Sequence, residues 1–300
     1  MPKQKNSFFK SNPKVIITFI ALILVAAVIY YFNIPIPFIY HPFVPNDSGD
    51  VSVQFIDVGQ GDSIFIHDHD TNVLIDAGEN DKGAVVVEYL RDQGINDIDI
   101  AIGTHPHSDH IGGLDTVMEN IPVTTLLLPI IPDSMIPTTK TYQDVLTTAQ
   151  EQNVNVVFAQ PGTSYPLSGG TLEILGPIGT YDDLNSYSIV SRFSYGNTSF
   201  LFTGDMEKDA ETDLIESGVD LHATVLKLGH HGSNTSSSSA FLKAVGAEYY
   251  AVCVGEDNSY GHPSQEVLNR LDDAPVYRTD ADGSIIFSTD GNTIKIQTEY

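Results

Sequence analysis

The chain has 300 residues, enough for one large domain or two smaller ones, and its 41% hydrophobic and 18% charged residues are typical of a globular protein. Four of its 14 Lys and Arg fall within the first 14 residues, so the sequence from residue 46 onward sets ten basic residues against 39 acidic ones, a formal charge of −29. Because nucleic-acid affinity depends on basic side chains that displace counterions, this balance excludes tight non-specific DNA binding. The single cysteine, Cys253, excludes an intramolecular disulfide, and its apolar surroundings predict a buried strand residue.

The N-terminal region predicts attachment to the cell membrane by a single span. Residues 1–14 form a basic tail, and residues 15–32 are uncharged over the length of a membrane-spanning helix. Lysines before this anchor place the N-terminus in the cytoplasm and the catalytic domain outside the cell. Residues 33–49 are predicted to be a proline-rich linker, and residues 50–300 the folded domain. A cleaved signal peptide and a buried core helix are the alternatives for residues 15–32.

The rest of the sequence alternates short strands with helices. Apolar alternation and short apolar runs predict strands at residues 51–57, 63–67, 72–76, 98–103, 123–128, 154–159, 172–175, 188–195, 198–203, 223–228, 248–254, 276–278, 284–287 and 293–297. Helices are predicted at residues 82–93, 141–152, 208–217, 240–245 and 265–271, with another opening within residues 111–115. This order predicts an α/β fold of two mixed sheets faced by helices, in four layers. The polar turn at residues 67–70 is expected to be a solvated hairpin tip.

The most informative stretch is the His-x-His-x-Asp-His run that follows the strand predicted at residues 98–103. On a short turn, His105 and His107 can point at one cation while Asp109 and His110 face a second. Imidazole nitrogen combined with carboxylate oxygen suits zinc and, with more oxygen, manganese or iron. The run also lies at the carboxyl end of a strand, where α/β proteins place their ligand sites. We therefore predict that this loop binds metal.

Acidic and histidine side chains recur at the ends of other predicted strands. They occupy residues 57–63, 76–78, 202–205, 228–233 and 258–263. An acid at the end of one strand is more often a turn former or a helix cap. The recurrence of such residues in order, around the histidine run, indicates a single site.

With these motifs the chain resembles the metallo-β-lactamase fold hydrolases over residues 51–297. More narrowly, residues 57–63, 105–110, 203–205, 229–233 and 260–263 resemble the hydrolase domain of ComEC-type competence proteins. The resemblance implies a four-layer αβ/βα sandwich with two divalent metal ions at one edge of the sheets, zinc being favoured and manganese the alternative. The multi-span channel of ComEC proteins has no counterpart in this sequence, so DNA transport is not implied.

The resemblance also implies a set of metal ligands. These are His105 and His107 for one ion, Asp109 and His110 for the other, and Asp205 as the bridge between them. One histidine of the pair at residues 230 and 231 would complete the second ion, with His231 favoured as the ligand and His230 as a donor to substrate oxygen. The wider superfamily usually supplies another histidine between the ligand loop and the bridging Asp. This sequence lacks it, as ComEC-like members do, so the ion at His105 and His107 would have fewer protein ligands.

Further residues match family positions around the metals. Three carboxylates are expected to orient the ligand imidazoles, namely Asp57, Asp62 and Asp76. The residues expected to face the substrate are Asn185, Ser188, Tyr260 and His262. Of these, His262 is expected to share with His230 the stabilisation of charge on the reacting oxygen.

Together with the predicted anchor, the ligands predict a membrane-anchored hydrolase in which a hydroxide held between the two metal ions attacks a phosphodiester, with Asp109 among the catalytic residues. Its substrate would be a small or polymeric phosphoester, such as extracellular nucleic acid or a phosphodiester of the cell envelope. The glycine- and serine-rich loop after His231 is expected to offer N–H groups to an anion. The alternatives are hydrolysis of an amide, lactone or thioester and a noncatalytic metal-binding surface module. The sequence indicates no particular protein partner.

Overall fold

Strands and helices alternate along most of the described chain. The computed structural model describes residues 43–45, 51–271 and 273–300. The predicted tail and anchor, residues 1–14 and 15–32, lie outside this part, as does most of the predicted linker. No helix within the described ranges is long and apolar enough to cross a bilayer.

The strands of the described residues are β1 (Val51–Phe55), β2 (Ile64–Asp68), β3 (Thr71–Ile75), β4 (Ile98–Ile102), β5 (Val123–Leu128), β6 (Asn155–Phe158), β7 (Ser164–Pro166), β8 (Thr171–Gly176), β9 (Val190–Tyr195), β10 (Thr198–Phe202), β11 (Val225–Lys227), β12 (Tyr249–Val252), β13 (Val276–Arg278), β14 (Ile285–Thr289) and β15 (Ile294–Thr298). The α-helices are α1 (Gly83–Asp92), α2 (Ser108–Ile111), α3 (Leu114–Asn120), α4 (Lys140–Glu151), α5 (Lys208–Ser217), α6 (Ser239–Val245), α7 (Gln265–Leu268) and α8 (Thr279–Asp282). Short 3₁₀ turns cover Asp133–Met135, Asn185–Tyr187 and Gly229–Gly232.

These strands form two mixed sheets. The first has the order β15-β14-β1-β2-β3-β4-β5-β6, antiparallel up to β3 and parallel from β3 to β6. The second has the order β13-β12-β11-β10-β9-β8-β7, parallel from β10 to β13 and antiparallel beyond. Each sheet therefore contains a block of parallel strands whose carboxyl ends reach the same edge.

Three apolar cores hold the layers together. The central core lies between the two sheets and contains Phe55, Phe200 and Phe287, all fully buried. A second core packs α1, α3 and α4 against the first sheet, and a third packs α5, α6 and α7 against the second. This is the predicted αβ/βα sandwich, and the fold is confirmed.

Several local features differ from the sequence predictions. Strand β7 and helix α8 were not predicted, because each is only three or four residues long and has no clear apolar period. The turn at residues 67–70 is not fully solvated: Asp68 is buried and accepts hydrogen bonds from Gly169 N–H at 2.9 Å and Gly170 N–H at 2.7 Å. Part of the predicted linker contacts the domain, since the Val44 carbonyl accepts a hydrogen bond from Gln297.

The aromatic cluster of the central core gives a test of the packing. Phe287 lies 5.6 Å from Phe55 and 5.6 Å from Tyr277, ring centre to ring centre. We expect Phe287→Ala to lower the free energy of unfolding by about 3–5 kcal/mol, measured by urea denaturation, because it leaves a cavity between the sheets. Phe158→Ala is the control: this ring is 54% exposed on edge strand β6, and its loss should cost about 0.5 kcal/mol or less. Equal losses for the two variants would contradict the layer assignment.

Candidate metal centre

The polar segments singled out in the sequence meet at one edge of the sandwich. Asp62 follows β1, Asp76 follows β3, and the histidine run follows β4. From the second sheet, Asp205 follows β10 and His231 follows β11. The carboxyl ends of parallel strands therefore bring together residues that are up to 169 positions apart in the sequence.

The ligand loop is held by a close backbone approach. His107 precedes α2, and that single helical turn carries Asp109 and His110. Asp62 N–H donates to the Asp109 carbonyl at 3.0 Å, and a side chain at Gly61 would place its Cβ 2.3 Å from that carbonyl oxygen. Only glycine fits at this crossing, where φ is +136°.

Four of the predicted ligands form one cluster of donor atoms. One atom from each of Asp109, His110, Asp205 and His231 lies within 4.8 Å of all the others. His110 Nε2 is 3.2 Å from Asp205 Oδ1, and His231 Nε2 is 3.2 Å from Asp109 Oδ2. His231 Nε2 is also 3.6 Å from Asp205 Oδ2. These are the four residues expected around the second ion.

The two remaining predicted ligands lie beside this cluster. His105 is fully buried, and its Nε2 is 3.0 Å from His107 Nδ1 and 3.9 Å from Asp205 Oδ2. His107 is exposed at the surface of the site. Asp205 thus has one oxygen toward His110 and the other toward His105, as expected of a bridging carboxylate.

The donor set fits divalent cations. His110 Nε2 and Asp205 Oδ1 are both buried, and although they lie 3.2 Å apart, neither makes a well-aligned hydrogen bond within the described part of the chain. Buried polar atoms without partners are costly, and bonds to a cation would satisfy both. A mixture of imidazole nitrogen and carboxylate oxygen is the ligand chemistry of zinc and manganese.

Further side chains fix the orientation of the imidazoles. Asp76 Oδ2 lies 2.8 Å from His110 Nδ1, and the same carboxylate accepts hydrogen bonds from the N–H and the hydroxyl of Thr104. His231 Nδ1 lies 2.9 Å from the Cys253 carbonyl and 3.3 Å from Asp62 Oδ1. Because Asp76 Oδ2 and the Cys253 carbonyl accept hydrogen bonds from Nδ1–H of His110 and His231, Nε2 of each ring is left to face the cluster.

One important side chain was not predicted from the sequence. Lys227, the last residue of β11, is fully buried, and its Nζ lies 2.5 Å from Asp62 Oδ2 and 3.9 Å from Asp205 Oδ1. It also donates to the Gly204 carbonyl at 2.8 Å. The available signal was a single lysine in the apolar run of a central strand, where a charge needs a partner.

The charges of the site alter the pKa values of its imidazoles. Burial disfavours protonated His231, but the carboxylates of Asp205, Asp109 and Asp62 outweigh burial and raise its pKa to about 9. Burial of His105, reinforced by His110, holds the pKa of His105 well below its usual range. Without a cation the cluster therefore retains protons on some of the rings, and metal binding would displace them.

The two adjacent histidines occupy a strained turn. His230 and His231 have φ values of 50° and 52°, a region that residues other than glycine rarely adopt. The turn is held by His230 N–H, which donates to the Gly204 carbonyl at 3.1 Å. This backbone points the buried His231 ring into the cluster and leaves the His230 ring, 24% exposed, at the pocket wall.

A pocket of about 490 Å³ opens above the cluster. It is lined by Gln60, Glu79, Asn80, Pro106, His107, Ser108, Asp109, Thr139, Thr141, Asn185, Asp205, His230, His231, Tyr260 and His262. The Tyr260 ring, 70% exposed, stacks on the His262 ring at 5.7 Å, and the His262 ring lies 5.7 Å from that of His230. Asn185 donates to Glu207, which in turn lies 3.3 Å from His230 Nδ1.

Two of the predicted site residues do not lie where they were expected. Asp57 makes no contact with an imidazole among the described residues; it accepts a hydrogen bond from Gly59 N–H and lines a separate cavity with Lys82 and Asp280. Its carboxylate is used to close its own turn. Ser188 does not face the pocket: it is fully buried, accepts a hydrogen bond from Asp205 N–H and lies 3.3 Å from His105 Nδ1.

The prediction that the serine-rich loop offers its N–H groups to an anion is also wrong. The N–H groups of Ser237 and Ser238 both donate to the Glu211 carboxylate, and Ser233 N–H donates to the His230 carbonyl. Glu211 is buried beneath the loop. Because Glu211 and the His230 carbonyl already accept from these donors, the loop stabilises the histidine turn and these N–H groups offer no cradle for a phosphate.

Comparison with known proteins identifies the class. Residues 56–256 match the family model of the metallo-beta-lactamase superfamily, and the chain belongs to this superfamily of metal-dependent hydrolases. The predicted resemblance to competence proteins is confirmed as well. The chain is 30% identical to ComE operon protein 3 of Bacillus subtilis, over 79% of this chain and 33% of that protein. It is 31% identical to competence protein ComA of Neisseria gonorrhoeae, over 85% of this chain and 34% of that protein.

The chain thus spans about a third of the length of these two relatives. Among solved structures, CmlA, a diiron beta-hydroxylase from Streptomyces venezuelae, is similar with a TM-score of 0.53 and 14% identity. That match covers 77% of this chain and 53% of CmlA. At this identity the likeness shows the shared fold alone.

The contacts of Asp76 lead to a prediction about metal affinity. We expect Asp76→Asn to weaken zinc or manganese binding by about 10- to 100-fold, because the amide no longer fixes His110 as a carboxylate does. Asparagine tolerates the left-handed backbone at this position, where φ is 58°, so the turn should be retained. The measurement is competition with a chromophoric chelator. Asp57→Asn is the matched control and should leave the affinity unchanged; a comparable loss there would contradict the assignment.

Proposed function

We propose that this chain is a membrane-anchored hydrolase of small phosphodiesters that uses two divalent metal ions, zinc or manganese. The observation that carries the proposal is the cluster of Asp109, His110, Asp205 and His231 at the floor of the pocket. The likeness to competence proteins, with the motifs shared with them, favours a phosphoester over an amide, lactone or thioester.

In the proposed centre the ligands divide around Asp205. His105 and His107 would hold one ion together with one oxygen of Asp205, while Asp109, His110 and His231 would hold the other. When bound, the ions would supply Lewis acidity and a water of lowered pKa. Among the ligands of the second ion, Asp109 is the most open to the pocket, since its side chain is 25% exposed while those of His110, Asp205 and His231 are buried.

His230 is the residue best placed to act on substrate oxygen. Its Nδ1 lies 3.2 Å from the Thr235 hydroxyl and 3.3 Å from Glu207 Oε1. With Nδ1 turned toward these two groups, Nε2 faces the pocket, 3.7 Å from Asp205 Oδ2. His230 would serve through Nε2 as the hydrogen-bond donor to the oxygen on which charge develops. His262, whose ring stacks on Tyr260 and meets the His230 ring edge-on, would be the second such donor.

The pocket favours a small substrate of low charge. The described residues that line it include Glu79, Asp109 and Asp205 and no Lys or Arg. A phosphodiester carries one negative charge, which the bound cations could balance. A polyanion would also meet Glu79 in the pocket wall and a domain with a formal charge of −29 beyond residue 45. We therefore favour a small phosphodiester over long nucleic acid.

Hydrolysis assays test the reaction class. We expect the purified domain to hydrolyse bis-p-nitrophenyl phosphate, to lose this activity with EDTA, and to regain it with zinc or manganese. Asp109→Ala should lower kcat/KM by about 100-fold or more, the scale of losing a stabilising group at the reacting centre. Asp57→Asn should retain full activity.

The same assay includes a lactone and a lactam panel. Turnover of a lactone without turnover of the phosphodiester would replace the proposed reaction with acyl hydrolysis. Metal binding without turnover of either class would favour a noncatalytic binding module.

The anchor is the second part of the proposal. Its support is the uncharged run at residues 15–32, preceded by four lysines. We expect protease treatment of intact cells to release the domain of residues 50–300 while a cytoplasmic control protein stays intact. A protected domain would contradict the proposed orientation.

A further inference from the structure

Lys227 is a buried charge that the proposed reaction does not use. It ends β11, which lies between β10 and β12 in the second sheet, and its side chain has no exposure to solvent. Lysine is almost never fully buried unless its ammonium is paired. The buried ammonium of Lys227 at the end of β11 therefore requires specific partners.

Its partners belong to the inner side of the metal centre. The ammonium contacts Asp62 Oδ2 at 2.5 Å and donates to the Gly204 carbonyl at 2.8 Å. Asp205 Oδ1 lies further away, at 3.9 Å. Lys227 therefore contacts Gly204, which precedes the bridging carboxylate Asp205, and it also contacts the buried carboxylate of Asp62.

Asp62 has the features of a metal ligand. One of its oxygens, together with atoms of Asp76 and His110, forms a second group of donor atoms within 4.8 Å of one another. Its Oδ1 is buried without a hydrogen bond and lies 3.3 Å from His231 Nδ1. The ammonium of Lys227 occupies the position beside Oδ2 that a cation would otherwise take.

We propose that Lys227 is a positioning residue that keeps Asp62 out of metal coordination and fixes the turn that carries Asp205. The ammonium replaces a cation at Asp62, so this carboxylate remains available to orient His231. Through Gly204, it also holds the backbone from which Asp205 extends. The inference rests on the proposed metal centre, and it explains how three buried carboxylates at one sheet edge can yield a defined ligand set.

Three variants and one control test the inference. Lys227→Met keeps the length of the side chain and removes its charge. Asp62→Asn removes the carboxylate, and the double variant removes both members of the pair. Val225→Ala, two residues earlier on the same strand and buried in the central core, is the control for loss of packing. The measurements are metal content, affinity by chelator competition, and the visible absorption spectrum of the cobalt(II) form.

For Lys227→Met we expect Asp62 to join the coordination sphere. The cobalt(II) absorption should then weaken, because an added carboxylate raises the coordination number, or more than two equivalents of metal should bind. Val225→Ala should be destabilised but keep the spectrum and the metal content of the parent. A parent-like spectrum and metal content in Lys227→Met would overturn the inference.

A second comparison does not depend on the folding of Lys227→Met. In Asp62→Asn the ammonium loses its partner and is drawn toward Asp205, so metal affinity should fall by about 10- to 100-fold. The double variant has no such competing charge and should regain most of the affinity. Equal affinity in Asp62→Asn and the double variant would overturn the inference.

The outcomes also separate this inference from the proposed function. If the parent protein bound no divalent metal, the proposed centre itself would be wrong. If the parent bound two ions and all variants matched it, the centre would stand and the role of Lys227 would be wrong.

Discussion

The structure depends on the burial of several carboxylates at one edge of two sheets. Asp62, Asp76 and Asp205 are at most 2% exposed, and they lie among imidazoles and one ammonium. Isolated buried carboxylates are costly, because desolvation penalises their charged form. Imidazole protons, the Lys227 ammonium and bound cations are the groups that can offset this cost. The arrangement is therefore stable only as a charge-balanced unit, and its chemistry as a metal centre follows from the same requirement.

The topology explains why this unit forms where it does. Parallel strands β3 and β4 of one sheet and β10 to β12 of the other all end at the same edge. Each strand needs a polar turn there, so each can contribute a ligand without disturbing the apolar core between the sheets. The strain at His230 and His231 is offset by this framework, since the turn is tied to Gly204 and the serine loop that supports it is held by Glu211.

Much of the fold could be predicted from local sequence pattern, whereas the full ligand cluster was predicted from the resemblance to a known family. The periodicity of apolar residues predicts the long strands and helices. The short spacing from His105 to His110 places several candidate ligands in one loop. The failures concern residues whose role depends on distant partners. Asp57 and Asp62 lie in the same motif, yet one closes its own turn and the other reaches Lys227. Similarly, the serine loop has the composition of an anion site, but Glu211 from α5 takes its donors. Only the tertiary structure determines such pairings.

The same electrostatic balance bears on the choice of substrate. The inner side of the site holds Lys227, whereas the described residues around the pocket mouth contribute acids and no basic side chain. With the proposed cations bound, positive charge would be concentrated at the floor of the pocket and would fall off toward the rim. A single phosphate group of the proposed substrate would gain from this gradient, while charges further along a polymer would lie against Glu79 and the acidic surface. The proposed substrate is therefore one whose flanking groups are neutral or cationic.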